Sequence, residues 1–298
     1  MNFFDPAKNK RIAIVSPIIA ALIAGTYYIA MKSNFDADIG HFARGSVPFI
    51  ICVVLSVLSG AVAVLSYYSA KKYDLERSDN VPPTYVFGAV LASILSFAVL
   101  FFGLRDMKLT VLSAGGTFTS LSADNKLEFV SLLLSPMIAG AYILTLVKQT
   151  RNTWSHTLFC IFAALCMNVY LFACYFDFSL PLNSPVRNYI TVMDSAMLLF
   201  FLSEAKLSFV NEKNRVSYAF SYFASFLCST ITLGISLGMF LSRLLNPVVN
   251  DPQPNLLKCA MYFAVSVTAL ARLNSLEGRE KPANASTEEP EPAAEENN

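Results

Sequence analysis

Residues 48–68 read PFIICVVLSVLSGAVAVLSYY, a run of 21 residues without a single charge. A helix rises about 1.5 Å per residue, so about 20 apolar residues match a bilayer hydrocarbon core of about 30 Å. Backbone amides in lipid must be hydrogen-bonded within the segment, which favours a helix over an open strand. This stretch therefore predicts a transmembrane helix.

Seven further stretches share this length and apolar character. They run over residues 12–31, 85–104, 129–147, 156–177, 189–207, 217–242 and 256–272. The sequence therefore predicts an all-α membrane protein, a polytopic bundle of eight transmembrane helices within residues 12–278. A short N-terminal tail, 1–11, precedes the bundle. The acidic, proline-containing tail 279–298 has no large apolar residue, so we expect it to be disordered.

The composition agrees with a membrane protein and excludes other classes. Hydrophobic residues make up 55% of the chain and charged residues 14%, against roughly 25% charged residues in an average soluble domain. The net charge of +1 offers no field for nucleic acid. Too few residues lie outside the spans to form a separate catalytic or nucleic-acid-binding domain. The six cysteines lie in predicted helices without a CxxC pair, which is typical of packing residues.

The basic residues of the connections predict the orientation, because cytoplasmic loops are enriched in lysine and arginine. With a cytoplasmic N-terminus, 14 of the 22 lysines and arginines fall inside and 8 outside. We therefore predict that both termini are cytoplasmic and that the protein lies in the plasma membrane. The longest connection, 105–128, is expected to be irregular, with a break at Gly115-Gly116 and Asn125 capping the next helix.

Charged and amide side chains interrupt only the second half of the predicted bundle. Asn168 lies in the fifth span, Asp194 and Glu204 in the sixth, and Lys258 in the eighth. Charges at such depths cost several kcal/mol unless they are paired or hydrated, so each is a candidate functional residue. Asp194 and Lys258 are expected in the outer leaflet, within about one or two helical turns of each other in depth. Glu204 and Arg272 are expected to lie similarly close, near the inner boundary. The sequence thus predicts two ion pairs between these helices, with Glu204–Arg272 a structural one.

The seventh span carries a stripe of hydroxyls at three- and four-residue steps, which places them on one helical face. These residues are Ser221, Ser225, Ser229, Thr232 and Ser236. Gly234 and Gly238 form a GxxxG on another side. One interpretation is a tight packing seam between helices. The other is a polar cavity whose binding residues would be Asn168, Asp194, Thr232, Ser236 and Lys258.

No catalytic motif is visible in the chain. His41 and His156 cannot form an HExxH site, and neither a GxSxG elbow nor a Walker loop occurs. We therefore expect no enzymatic activity, no cofactor and no metal. The expected function is small-molecule binding or transport through a polar pocket in the C-terminal four helices, with the lipid bilayer as surroundings. The alternative is a non-catalytic scaffold or accessory subunit that contacts a partner membrane protein through the small-residue face of the seventh helix.

Overall fold

The structure is a computed structural model that describes residues 10–36, 40–71, 74–77, 81–113, 115–147, 154–177, 181, 184–209, 215–245 and 253–279. These residues fold into helices joined by short connections. The helices are α1 Lys10–Asn34, α2 Val47–Ala70, α3 Pro83–Ser113, α4 Ala123–Leu134, α5 Pro136–Leu146, α6 Trp154–Phe176, α7 Pro185–Phe209, α8 Arg215–Leu227, α9 Leu233–Leu245 and α10 Leu256–Ser275. The predicted tails lie mostly outside this range, at residues 1–9 and 280–298.

Two short antiparallel strand pairs lie next to the ends of helices. Strand β1, Phe35–Asp36, pairs with β2, His41–Phe42, in the connection between α1 and α2. Strand β3, Asp74–Arg77, follows α2 and pairs with β4, Leu276–Arg279, which follows α10. The second pair joins the end of the last helix to the connection between α2 and α3. Arg279, the first residue of the predicted disordered tail, therefore belongs to a strand.

Within the part of the chain that the structure describes, seven helices are long and apolar enough to cross a membrane. They are Ile14–Asn34, Val47–Ala70, Pro83–Ser113, Ala123–Leu146, Trp154–Phe176, Arg215–Leu245 and Leu256–Ser275. The protein is thus a multi-pass, all-α membrane protein, as predicted. The remaining predicted span corresponds to α7, which is 25 residues long but is made less apolar by its charged residues.

The predicted irregular loop over residues 105–128 is wrong for most of its length. Helix α3 continues to Ser113. Helix α4 begins at Ala123 with Ser122 as its N-cap residue, so the predicted cap, Asn125, lies inside the helix. Hydropathy marks where a helix leaves the bilayer and not where the helix ends, so it does not predict the last turns of α3, which contain Arg105, Asp106 and Lys108. The break itself is present, because Gly115 and Gly116 adopt φ angles of 100° and 78°, in the left-handed region that favours glycine.

Two of the spans are interrupted within the bundle. Ser135 and Pro136 separate α4 from α5, because proline has no N–H to donate and its ring displaces the preceding turn. Ser135 Oγ donates to the carbonyl oxygen of Ser96 in α3, 3.1 Å away. Between α8 and α9, Cys228–Thr232 form a π-helical turn. Such a turn inserts one residue, which rotates everything beyond it by about 100° relative to a continuous α-helix.

Burial separates central helices from peripheral ones. The segment Arg215–Leu245 buries 78% of its most apolar window inside the protein, whereas Val47–Ala70 buries 22%. The outward faces of α2 and α3 carry large apolar side chains such as Val57 and Phe101, which are 66% and 70% exposed. Apolar surfaces of this extent suit contact with lipid. The segment α8–α9 and helix α10 therefore lie at the centre of the bundle.

Helix α7 runs antiparallel to α6 along its whole length. Near the start of α7, the Arg187 guanidinium donates to the carbonyl oxygen of Asp177, which follows the end of α6. Near the end of α7, Ser208 Oγ lies 2.5 Å from Nδ1 of His156, at the start of α6. The two helices therefore extend over the same depth of the bundle.

Candidate functional site

Asp194 lies in the N-terminal half of α7 and is fully buried, with 0% of its surface exposed. Nine residues separate it from the start of the helix, which places it about 14 Å along the helix axis. Neither carboxylate oxygen makes a hydrogen bond of good geometry to any described residue. The Tyr262 side chain of α10 is close enough to interact with the carboxylate, although the two groups do not reach hydrogen-bonding geometry. A buried carboxylate without a well-placed hydrogen-bond donor or counter-ion is unusual and requires an explanation.

A cavity of about 150 Å³ reaches this carboxylate. Its walls come from the first turns of α4, the end of α6, the N-terminal half of α7 and the beginning of α10. The lining residues are Asp124, Glu128, Tyr170, Ala173, Cys174, Asp177, Ile190, Asp194, Gln253, Pro254, Lys258 and Tyr262. Because most of them lie near helix ends while Asp194 lies deeper, the cavity extends from one end of the bundle towards its middle.

Lys258 lines the same cavity, but it does not pair with Asp194 as the sequence predicted. Its ammonium lies 2.5 Å from Oε1 of Glu128 and 4.7 Å from the centre of the Tyr170 ring. The reason is the early start of α4, which carries Glu128 into the wall of the cavity as a helical residue. Asp194 and Lys258 remain close enough to attract each other electrostatically. The predicted neighbours therefore share a cavity without forming an ion pair.

Four carboxylates line the cavity, and the only lysine or arginine among the described lining residues is Lys258. Two further cations lie just behind the wall, where Arg187 and Arg243 donate to the backbone carbonyls of Asp177 and Gln253. Carboxylates outnumber cations even when both arginines are counted. The Tyr170 hydroxyl is also buried and makes no hydrogen bond of good geometry to a described residue. The cavity is therefore acidic and has unsatisfied hydrogen-bonding capacity.

The Gln253 side chain is held in the cavity wall by two other helices. Its Oε1 accepts from the Tyr27 hydroxyl of α1 at 3.3 Å, and its Nε2 lies 3.4 Å from Ser242 Oγ of α9. Tyr27 in turn packs edge-on against Tyr189 of α7. These contacts with α1 and α9 hold the Gln253 side chain in place. The packing of the helices therefore determines the shape of the cavity wall at Gln253.

The other three residues of the predicted pocket do not line this cavity. Asn168 lies half-buried on α6. Thr232 and Ser236 are fully buried in the seventh span, where the Ser236 hydroxyl donates to its own helix, to the Leu233 carbonyl at 3.2 Å. The inserted residue of the π-helical turn rotates this segment, so a stripe counted at constant helical spacing does not continue along one face.

The small residues of the seventh span pack against α1. Ser229 Oγ lies 2.8 Å from Ser16 Oγ. A Cβ added at Gly234 would lie 2.8 Å from the carbonyl oxygen of Ala20, and one added at Gly238 would lie 3.0 Å from that of Ala24. These separations require glycine, because a methyl group would press on backbone atoms. The GxxxG is therefore a packing seam inside this chain.

Glu204 and Arg272 form an ion pair at the other end of the bundle. Arg272 Nε donates to Glu204 Oε1 at 2.6 Å, and its Nη2 donates to Oε2, so the pair is bidentate. The side chains are 5% and 1% exposed, respectively. The guanidinium also lies 5.2 Å from the centre of the Tyr85 ring of α3. This pair ties α7, α10 and α3 together, and the two charges are satisfied within the protein.

Sequence reasoning missed several lining residues, above all Glu128, Asp177 and Tyr170. The two acidic residues were assigned to connections or helix boundaries, where charged side chains are ordinary. Tyr170 looked like an apolar residue of the fifth span. The contact of Glu128 could have been predicted. Glu128 and Lys258 each lie near the start of a predicted span, and a carboxylate and a lysine in such positions can meet at one end of the bundle.

Together these features define a class: a multi-pass helical membrane protein with a carboxylate-lined cavity inside its bundle. No protein-family model, curated protein or solved structure matches the chain.

Proposed function

We propose that this protein binds or transports a small molecule through the cavity that reaches Asp194, and that it does so without catalysis. The observation that carries the proposal is the Asp194 carboxylate itself, fully buried, facing a cavity and left without a firm hydrogen-bond partner in the described part of the chain. Ionised groups in the membrane are expensive and commonly mark solute pathways. A ligand in the cavity would supply the missing partner.

The proposal includes eight spans, with both termini cytoplasmic and the protein in the plasma membrane. Helix α7 supports the eighth span, because it lies antiparallel to α6 and contacts both of its ends through Arg187 and Ser208. A helix of 25 residues is also about 37 Å long, enough to cross a bilayer. Its lower apolarity is compatible with a span because Arg187, Asp194 and Glu204 are buried inside the protein and the exposed Lys206 lies in the last turn of the helix. The orientation rests on the distribution of lysine and arginine.

The scaffold alternative depended on the small-residue face of the seventh span. That face is covered by α1, at Gly234 and Gly238. Because a covered face offers no surface to a partner membrane protein, we favour solute binding over the scaffold.

Cys174 provides a direct test of the cavity. It lines the cavity and is half-buried, whereas the other five cysteines are buried. A small, neutral methanethiosulfonate reagent should therefore modify one cysteine per folded chain in detergent, as measured by mass spectrometry. Cys174→Ser should abolish the modification, and Ala173→Phe, which fills the cavity beside it, should slow it. Absence of modification in the folded wild-type protein would refute a solvent-accessible cavity.

Single cysteines introduced into a Cys174→Ser background test the topology of α7. Asn188→Cys and Lys206→Cys place exposed thiols near opposite ends of the helix. In intact cells, a membrane-impermeant thiol reagent should label Asn188→Cys and should label Lys206→Cys only after permeabilisation. Thr117→Cys and Lys71→Cys serve as the outer and inner references. Labelling of both α7 positions in intact cells would show that α7 does not cross the bilayer. Labelling of Lys71→Cys but not Thr117→Cys in intact cells would contradict the proposed orientation.

A further inference from the structure

The chemistry of the cavity points to the class of molecule that it receives. Lys258 shows how the cavity holds an alkylammonium group, because its own ammonium is such a group. A carboxylate, Glu128, binds it at 2.5 Å, and the face of an aromatic ring, Tyr170, lies 4.7 Å away. Carboxylates and aromatic faces are the two kinds of partner that proteins use for organic cations.

A second carboxylate and a second tyrosine lie deeper in the cavity. Asp194 supplies the carboxylate, and the Tyr262 side chain is close enough to interact with it. The difference is that no lysine or arginine in the described part of the chain bonds to Asp194, whose two oxygens lack hydrogen-bond partners of good geometry. The single lining ammonium is held by Glu128 instead. Asp194 and Tyr262 therefore line the cavity without an ammonium from the described residues between them, whereas Glu128 and Tyr170 share the ammonium of Lys258.

We infer that Asp194 and Tyr262 bind the ammonium group of a small organic cation in this cavity. The inference rests on the proposed binding function and narrows its ligand. Anionic solutes are disfavoured because four carboxylates line the walls. A cavity of about 150 Å³ is large enough for a molecule the size of benzene, so the ligand, or the part of it that enters, has about six non-hydrogen atoms.

Charge-selective modification of Cys174 tests this inference in the unaltered protein. Cationic trimethylammonium and anionic sulfonate methanethiosulfonates are compared, with each rate divided by the rate for a free thiol in solution. We expect the cationic reagent to react about tenfold faster or more, since an acidic cavity concentrates cations. Equal rates, or faster reaction of the anion, would overturn the inference. If the neutral reagent labels Cys174 in that case, the proposed cavity itself still stands.

A matched series of solutes tests the binding residue. n-Butylammonium, n-butanol and butyrate have similar size but differ in charge, and each is added before the neutral reagent. We expect butylammonium alone to protect Cys174 from modification. Asp194→Asn should remove this protection, Asp194→Glu should restore part of it, and Asp106→Asn, an exposed acidic residue of α3, should leave it intact. Protection by all three solutes, no protection by butylammonium, or protection that survives Asp194→Asn would each overturn the assignment.

An ammonium group can reach the cavity on a free solute or on a lipid headgroup. Reconstitution distinguishes the two sources. Vesicles of phosphatidylglycerol alone present no ammonium, whereas vesicles that also contain phosphatidylethanolamine do. Protection of Cys174 in the mixed vesicles without added amine identifies the lipid as the source. Protection that requires added butylammonium in both kinds of vesicle identifies a soluble amine.

Discussion

Asp194 and Glu204 lie ten residues apart on the same helix, and both carboxylates are buried. Glu204 accepts two hydrogen bonds from Arg272, whose guanidinium also lies over the ring of Tyr85. Asp194 has no such partner and faces a cavity instead. The comparison shows that burial of a charge in a membrane helix does not by itself identify a binding site. A buried charge is a functional candidate when the protein itself supplies neither a counter-ion nor hydrogen bonds to it, and a structural charge when the protein supplies them.

The largest expected effect is at the Glu204 end. Arg272→Met leaves a carboxylate buried and unpaired, and breaking a buried ion pair in this way costs about 3–5 kcal/mol. The double variant Glu204→Gln/Arg272→Met removes both charges and should recover most of that loss. Thermal unfolding in detergent compares the wild type, Arg272→Met, Glu204→Gln and the double variant. Additive losses would mean that the two residues do not stabilise the bundle as a pair.

A smaller effect is expected where the seventh span meets α1. Gly234→Ala places a methyl group against the Ala20 carbonyl, and overpacking of this kind typically costs about 1–3 kcal/mol. Gly60→Ala in α2 is the matched control, because an added Cβ there meets nothing within 4 Å. Detergent melting of the two variants should separate them clearly. Equal stability would indicate that α1 and the seventh span pack less closely than the distances at Gly234 imply.

The smallest effect on stability is expected for Asp194→Asn. The change keeps the shape of the side chain and removes a charge that no ion pair satisfies, so the free energy of unfolding should change by less than about 0.5 kcal/mol or rise. Glu204→Gln, the equivalent change on the same helix, should be strongly destabilising because it leaves Arg272 buried without its counter-ion. Similar losses in the two variants would remove the distinction between the two ends of α7.

Much of the fold follows from the sequence alone, because the bilayer imposes a simple rule. A run of about 20 apolar residues must form a helix there, since its backbone groups have no other hydrogen-bond partners. Seven spans were therefore recognisable from hydropathy, together with the break at Gly115 and Gly116. The helix ends were not, because α3 continues beyond its apolar run through the charged residues Arg105, Asp106 and Lys108.

Only part of the candidate site could be predicted from the sequence. Asp194 and Lys258 stood out because charges within apolar runs are rare, and both line the cavity. Thr232 and Ser236 were chosen from a constant helical period, which the π-helical turn at Cys228–Thr232 interrupts. No periodicity rule anticipates that inserted residue, since it depends on packing against the neighbouring helices.

The sequence by itself determined that the chain is a helical membrane protein and that its costly charges lie in the second half. Tertiary structure alone decided which charges meet. Lys258 bonds to Glu128, 130 residues away in the chain, and not to Asp194, which lies deeper in the same cavity. Depth along a helix can be counted from residue numbers, but the direction in which each helix faces is set by packing. That direction leaves Asp194 open to the cavity and Glu204 in contact with Arg272.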